Sequence, residues 1–208
     1  MTYKVIQIPV GQMANYTYIL ADEETDLAAV IDPSWELDKV FNSLKRNGLT
    51  AKYVINTHSH FDHVLGNEQV ASVTGAKIVQ HENSKLVKDI SVTDGQTLEV
   101  GKTHLRFIHT PGHSEDSICL VVDDQLVFTG DTLFVGNCGR TDLPGSSPSD
   151  MFHSLHDIVA KLDDNLVVYP GHNYGPTETS TIGREKSTNL VLQPRTKQEF
   201  LEFMGAAG

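Results

Sequence analysis

Apolar residues in the first third of the chain come in short runs rich in β-branched and aromatic side chains. "YKVIQIPV" (3–10), "YTYIL" (16–20) and "LAAVID" (27–32) predict three strands, the last two separated by the polar turn "ADEETD". The period then changes. In "SWELDKVFNSLKRNG" Leu37, Val40, Phe41 and Leu44 recur every three or four residues, which predicts a helix with Ser34 as its N-cap and Gly48 at its end. "AKYVINT" (51–57) returns to a strand, "VLGNEQVASVTG" (64–75) reads as a helix stopped by Gly75, and "AKIVQ" (76–80) as a short strand. A hairpin around Gly101 (97–110) follows, then strands 117–122 and 125–131, a helix from about Ser149 to Leu162, and a strand at 166–171. The tail from about 183 reads as one or two amphipathic helices with Phe200, Leu201 and Met204 as the apolar face. The two halves share an order of strands, a helix, a strand and then polar residues. Strands mixed with helices in this way predict an α/β layered fold, sheets covered by helices.

Length adds that 208 residues fit a single domain over 1–208, built from two similar halves and ending in the short helical tail. The formal charge of −11, from 27 acidic and 16 basic side chains, argues against a surface that tracks phosphates, so no nucleic acid is expected as partner. No apolar run exceeds five residues and no basic leader precedes an apolar stretch. The expectation is therefore a cytoplasmic protein with no membrane contact, monomer or homodimer. Two cysteines make no disulfide framework. Cys119 in the strand "SICLVV" reads as a small buried residue, and so does Cys138 in the loop "GNCGRTD", with a thiol near the chemistry as its alternative.

Chemistry enters with "NTHSHFDHVLGN" (56–67), which sets His58, His60, Asp62 and His63 between an apolar strand and a helix. Histidine and carboxylate side chains are ordinary ligands of Zn²⁺ and Fe²⁺. Residues two apart in an extended loop point the same way, so His58 and His60 can share one ion, while Asp62 and His63 face a second position beyond the turn. Three further strand ends carry a glycine followed by a ligand-type residue: His113 in "TPGHS", Asp131 in "FTGDT" and His172 in "YPGHN". Rigid strand ends hold ligands to the accuracy that metal geometry demands. His81, His104, His109, His153 and His156 lack such a setting and read as surface or core residues.

"THSHFDH", "PGHS", "GDTLF" and "YPGHNYG", in this order and spacing, resemble the metallo-β-lactamase superfamily over about residues 5–190. The resemblance implies a four-layer αββα sandwich with two divalent metal ions (zinc, iron or both) at one edge of the facing sheets. It implies His58, His60 and His113 at the first metal, Asp62, His63 and His172 at the second, and Asp131 between them. The β-lactamases of the best-known class tend to carry cysteine at the bridging position, so Asp131 argues against antibiotic hydrolysis.

"GDTLFVGNCGRTD" and "PGHNYG" look most like the glyoxalase II group and its relatives, the persulfide dioxygenases, both of which act on glutathione derivatives. That likeness implies a small-molecule, thiol-derived, glutathione-like substrate held by Arg140 and Tyr174. Asp142 departs from the pattern, since the glyoxalase II group has an aromatic residue there, and the tail is shorter than in that group. The expected reaction is hydrolysis of a thioester by metal-bound hydroxide, with Asp62 and Asp131 balancing the metal charge as catalytic carboxylates. The alternative is a persulfide dioxygenase with one Fe(II) held by His60, His113 and Asp131 or their neighbours. A metal-dependent nuclease uses the same first motif but is disfavoured by the acidic charge, and a non-catalytic binding module would not need seven ligands.

Overall fold

The computed structural model of the chain describes residues 3–193 and 195–206. The first half runs β1 (Tyr3–Val10), β2 (Asn15–Asp22), β3 (Leu27–Ile31), α1 (Leu37–Arg46) and β4 (Thr50–Ile55). It continues through the one-turn α2 (Phe61–Val64), α3 (Asn67–Thr74), β5 (Lys77–His81) and β6 (Ile90–Val92). The second half holds β7 (Thr97–Val100), β8 (Thr103–His109), β9 (Ile118–Val122), β10 (Leu126–Gly130), α4 (Pro148–His153), β11 (Val167–Pro170) and β12 (Ser180–Thr181). Helices α5 (Ile182–Thr188) and α6 (Lys197–Ala206) close it.

The strands form two six-stranded sheets, β1-β2-β3-β4-β5-β6 and β12-β11-β10-β9-β8-β7. The central apolar runs are buried on both faces, which is why they read as continuous rather than alternating. In β2, Tyr16, Tyr18 and Leu20 point into the space between the sheets, where they meet Phe107, Leu120 and Phe128. Ile19 and Ala21 point the other way, onto Val40 and Leu44 of α1 and Val70 of α3. On the far side of the second sheet Cys119, Val121 and Val127 pack under Met151, Leu155, Ile182 and Phe200. Each such aliphatic side chain contributes about 1.5–3 kcal/mol by leaving water. The result is the expected four-layer αββα sandwich.

Local differences have local causes. Ser34 does not cap α1: its hydroxyl is buried without a hydrogen-bond partner, and the helix begins three residues later. The capping position falls to Glu36 in a left-handed turn (φ 51), whose carboxylate instead accepts the Gly11 N–H at 2.7 Å. The helix expected over 64–75 is two helices broken at Gly66, whose N–H donates to Pro33 O at 2.9 Å and so leaves the helical ladder. The helical stretch after Pro148 runs on as expected but widens to a π turn over Ser154–Ile158 and tightens to a 3₁₀ turn at Val159–Lys161. Strands β6 and β12 are too short to carry a periodicity. In α6 Phe200 is buried and Phe203 and Met204 pack beside it, but Leu201, about 100° further round the helix, is exposed.

Candidate metal centre

Two of the parallel strand pairs, β3 with β4 and β10 with β11, bring their C-terminal ends to one edge of the sandwich. From β4 the chain passes through Thr57 and His58 to His60, which stands in extended conformation (φ −64, ψ 147) as the N-cap of α2. Helix α2 then carries Asp62 and His63 inward, both buried. His113 comes from the loop after β8, Asp131 directly follows β10, and His172 lies just beyond β11. Two glycines let these ends approach. Gly130 sits at φ 47 with no room for a β-carbon beside Thr57, and at Gly171 a β-carbon would run into the Asp131 carboxylate. The N–H of Tyr16 donates to Gly171 O at 2.9 Å, which ties the two sheets together at the site.

All seven expected ligands meet. Ligating atoms of His58, His60 and His113 lie within 4.8 Å of one another, as do those of His58, His63 and Asp131, and those of Asp62, His63 and His172. Asp131 touches both sides, with Oδ2 3.4 Å from His113 Nε2 and 3.2 Å from His172 Nε2, and Oδ1 3.4 Å from His63 Nε2. None of the five remaining histidines joins a ligand cluster among the described residues. His81 and His109 stack on each other at 4.0 Å, while His104 and His153 are exposed beside Asp123 and Asp157.

The hydrogen bonds around the cluster fix which nitrogen faces inward. His172 Nδ1 donates to Met13 O at 2.8 Å, and His113 Nδ1 donates to Arg140 O at 2.8 Å, since a carbonyl can only accept. His63 Nδ1 donates to Asp32 Oδ2 at 3.0 Å. The Thr57 hydroxyl also donates to Asp32 Oδ2, at 2.6 Å, so its oxygen is left to accept from His58 Nδ1 at 3.2 Å. The Nε2 atoms of all four rings therefore point into the same space. His58 Nε2 and Asp131 Oδ1 are buried there with no hydrogen-bond partner. His113 Nε2 sits 2.8 Å from His60 Nδ1, and His63 Nε2 3.2 Å from His172 Nε2. An electron-rich, dry cluster of this kind is what divalent cations satisfy, so the donor set fits a metal centre.

The same crowding sets the metal-free protonation. Burial, with His63 nearby, holds the His58 imidazole well below its ordinary pKa, and burial with His113 lowers His60. At His63 burial opposes the charge, but Asp131 and Asp32 outweigh it and raise the pKa to about 9. Burial likewise opposes the charge on His172, and the Asp131 hydrogen bond overrides it. Burial would raise the Asp131 carboxyl, yet His63 and His172 hold it well below the usual range. Cys138, buried at the same cavity, is pushed up to about 12 by burial, so its thiol stays protonated and is no nucleophile at neutral pH.

Asp32, Thr57, Asn15 and Met13 were not legible as site residues. Asn15 Nδ2 donates at 2.9 Å to Asp62 Oδ2, the oxygen that lies 3.5 Å from both His63 Nε2 and His172 Nε2, and so fixes how this carboxylate faces the cluster. Asp32 did carry a signal, for it ends the strand "LAAVI" just as Asp131 follows "LVFTG". It orients His63 directly and His58 through Thr57. In Asp32→Asn the new amide would point N–H groups at Thr57 or His63 and spoil both tautomers. Metal affinity is expected to fall about 10–100-fold, read by competition with a chelator, and the metal-free melting temperature is expected to fall too, because the buried pairing of Asp32 with His63 and Thr57 is lost.

The centre opens into a cavity of about 670 Å³. Both expected substrate residues line it. Tyr174, half exposed, stacks on His172 with ring centroids 4.7 Å apart and planes 9° apart. The Arg140 guanidinium is exposed and already paired: Nε and Nη2 each donate to the Asp142 carboxylate at 2.6 Å.

No helix among the described residues is long and apolar enough to cross a membrane. A family model described as the metallo-beta-lactamase superfamily matches residues 10–86 and 80–172. A probable polyketide biosynthesis zinc-dependent hydrolase, BaeB of Bacillus velezensis, is 36% identical, covering 97% of this chain and 93% of that protein. The mitochondrial persulfide dioxygenase ETHE1 of Mus musculus is 33% identical over 91% of this chain and 76% of its own. A probable hydroxyacylglutathione hydrolase, glo2 of Schizosaccharomyces pombe, is 35% identical over 79% of this chain and 66% of its own. The crystal structure of ETHE1 from Myxococcus xanthus superposes with a TM-score of 0.93 at 32% identity, covering all of this chain and 92% of that one.

Proposed function

The chain belongs to the metallo-beta-lactamase superfamily, and from that premise we propose that it is a dinuclear metallo-hydrolase that cleaves a thioester of a small thiol-derived molecule. The observation that carries this reading is the completeness of the second ligand set. Asp62, His63 and His172 are each held by a partner of their own, Asn15, Asp32 and the Met13 carbonyl, and none of these serves the first set alone. Relatives described as a probable zinc-dependent hydrolase and a probable hydroxyacylglutathione hydrolase support hydrolysis.

In this reading His58, His60 and His113 would hold one divalent ion, Asp62, His63 and His172 the other, and Asp131 would lie between. Bound there, the pair would supply Lewis-acid polarisation of a carbonyl and a water acidified towards neutral pH. The chain's own residues do the rest. Asp62 and Asp131 offset part of the cationic charge and leave the site positive enough to favour a developing anion. Asp32 keeps the outer protons on His63 and His58, so their inner nitrogens stay unprotonated. Phe134 and Tyr174 pack against His172 and keep bulk water from that side.

A second reading, a persulfide dioxygenase with one Fe(II), is favoured by the close superposition on ETHE1. His60, His113 and Asp131 would supply a two-histidine, one-carboxylate face. Metal content after purification without added metal, paired with assays on a thioester and on a persulfide, separates the two. Two ions per chain with thioester cleavage and no oxygen uptake is the expected result. One iron with oxygen uptake on the persulfide, and no thioester cleavage, would replace the first reading by the second.

A further inference from the structure

The wall of the cavity is apolar where the fold gives no reason for it. Met13, Phe61 and Tyr174 keep 42%, 60% and 56% of their surface exposed. With Phe134, Leu143 and Pro144 they line the space in front of the metal cluster. Phe61 meets Trp35 edge-on, ring centroids 6.2 Å apart, and belongs to none of the core clusters. Large exposed apolar side chains gathered at one mouth mark a surface built to be covered.

The charged side of the cavity points the same way. Among the described residues that line it Arg140 is the one arginine or lysine, and its planar fork is spent on Asp142. The two residues share a loop, so this carboxylate is never dilute, and a substrate carboxylate would have to displace it.

We propose that the substrate, beyond its reacting carbonyl, is apolar and uncharged: a thioester with an aliphatic or aromatic chain laid along Met13 and Phe61. In this arrangement Asp142 is a specificity residue that keeps Arg140 from reading an anionic thiol carrier such as glutathione. The inference rests on the thioester reading for the reaction, but the binding selectivity stands apart from turnover.

The test therefore uses thioethers, which are not hydrolysed. Affinities of S-hexylglutathione and of a neutral hexyl thioether are measured by calorimetry on the metal-loaded protein. The wild type is expected to bind the neutral ligand about tenfold or more tightly, with affinity rising up to about fourfold per methylene along an alkyl series. Asp142→Asn frees the guanidinium, and the glutathione-to-neutral affinity ratio is expected to rise about tenfold, as one charge-assisted pair would give. Phe61→Ser should weaken the hexyl ligand about tenfold and flatten the chain-length series. Wild-type binding of S-hexylglutathione as tight as the neutral ligand, no change of ratio in Asp142→Asn, or a chain-length series unaffected in Phe61→Ser would each overturn the proposal. Failure of the wild type to cleave any thioester, with these selectivities intact, would instead overturn the reading of the reaction.

Discussion

Asp131→Ala is expected to abolish turnover and to strip metal from the protein. Its carboxylate lies within 3.2–3.4 Å of His172, His63 and His113, so it is the group that touches both halves of the cluster. Its Oδ1 is buried without another partner, so the fold makes no other use of it. Removing one member of a buried charge set costs about 3–5 kcal/mol, or about 10²- to 10⁴-fold in affinity. Asp131→Asn separates charge from shape, because it keeps the volume that Gly171 makes room for. Both variants should bind at most one ion per chain, measured by elemental analysis after dialysis against dilute metal. Wild-type loading with near-normal activity in Asp131→Ala would remove Asp131 from the bridging position.

The ligands were legible because the sequence marks them twice, by residue type and by place. "HSHFDH" is too dense in ligand side chains for a turn that only has to fold. His113, Asp131 and His172 each follow a glycine close to the end of an apolar run. The reason for the glycine differs between sites. Gly130 supplies a left-handed backbone, whereas Gly171 supplies empty space beside Asp131. The layers were legible from apolar runs that the facing sheet covers on one side and the helices on the other. What the sequence hid is what depends on tertiary direction. Ser34 has the chemistry of a cap but is turned into the core, and Asn15 and the Met13 carbonyl gain their roles only when β2 meets β11 across the sheets. The Arg140–Asp142 pair was likewise visible as two residues, a cation and a departure from pattern, but not as a closed fork.

His172→Ala carries the second large effect, and it decides how many ions the chemistry needs. His172 is the member of the second set that comes from the other half of the chain, on the strand end beyond Gly171. Its outer nitrogen is fixed by Met13 O at 2.8 Å, its ring is stacked under Tyr174, and its inner nitrogen faces Asp62 at 3.5 Å and Asp131 at 3.2 Å. Alanine there leaves the second ion with Asp62, His63 and the share of Asp131 that lies between the sets, one imidazole short of the four ligands a tightly held ion takes. The first set, His58, His60 and His113, is untouched. One ion should be lost and one kept, and thioester cleavage should fall by orders of magnitude because the polarising charge is halved. An iron enzyme working from His60, His113 and Asp131 would respond otherwise, keeping its metal and most of its oxygen uptake. Metal content unchanged from the wild type would therefore overturn the dinuclear mechanism while leaving the sandwich and the first ligand set intact.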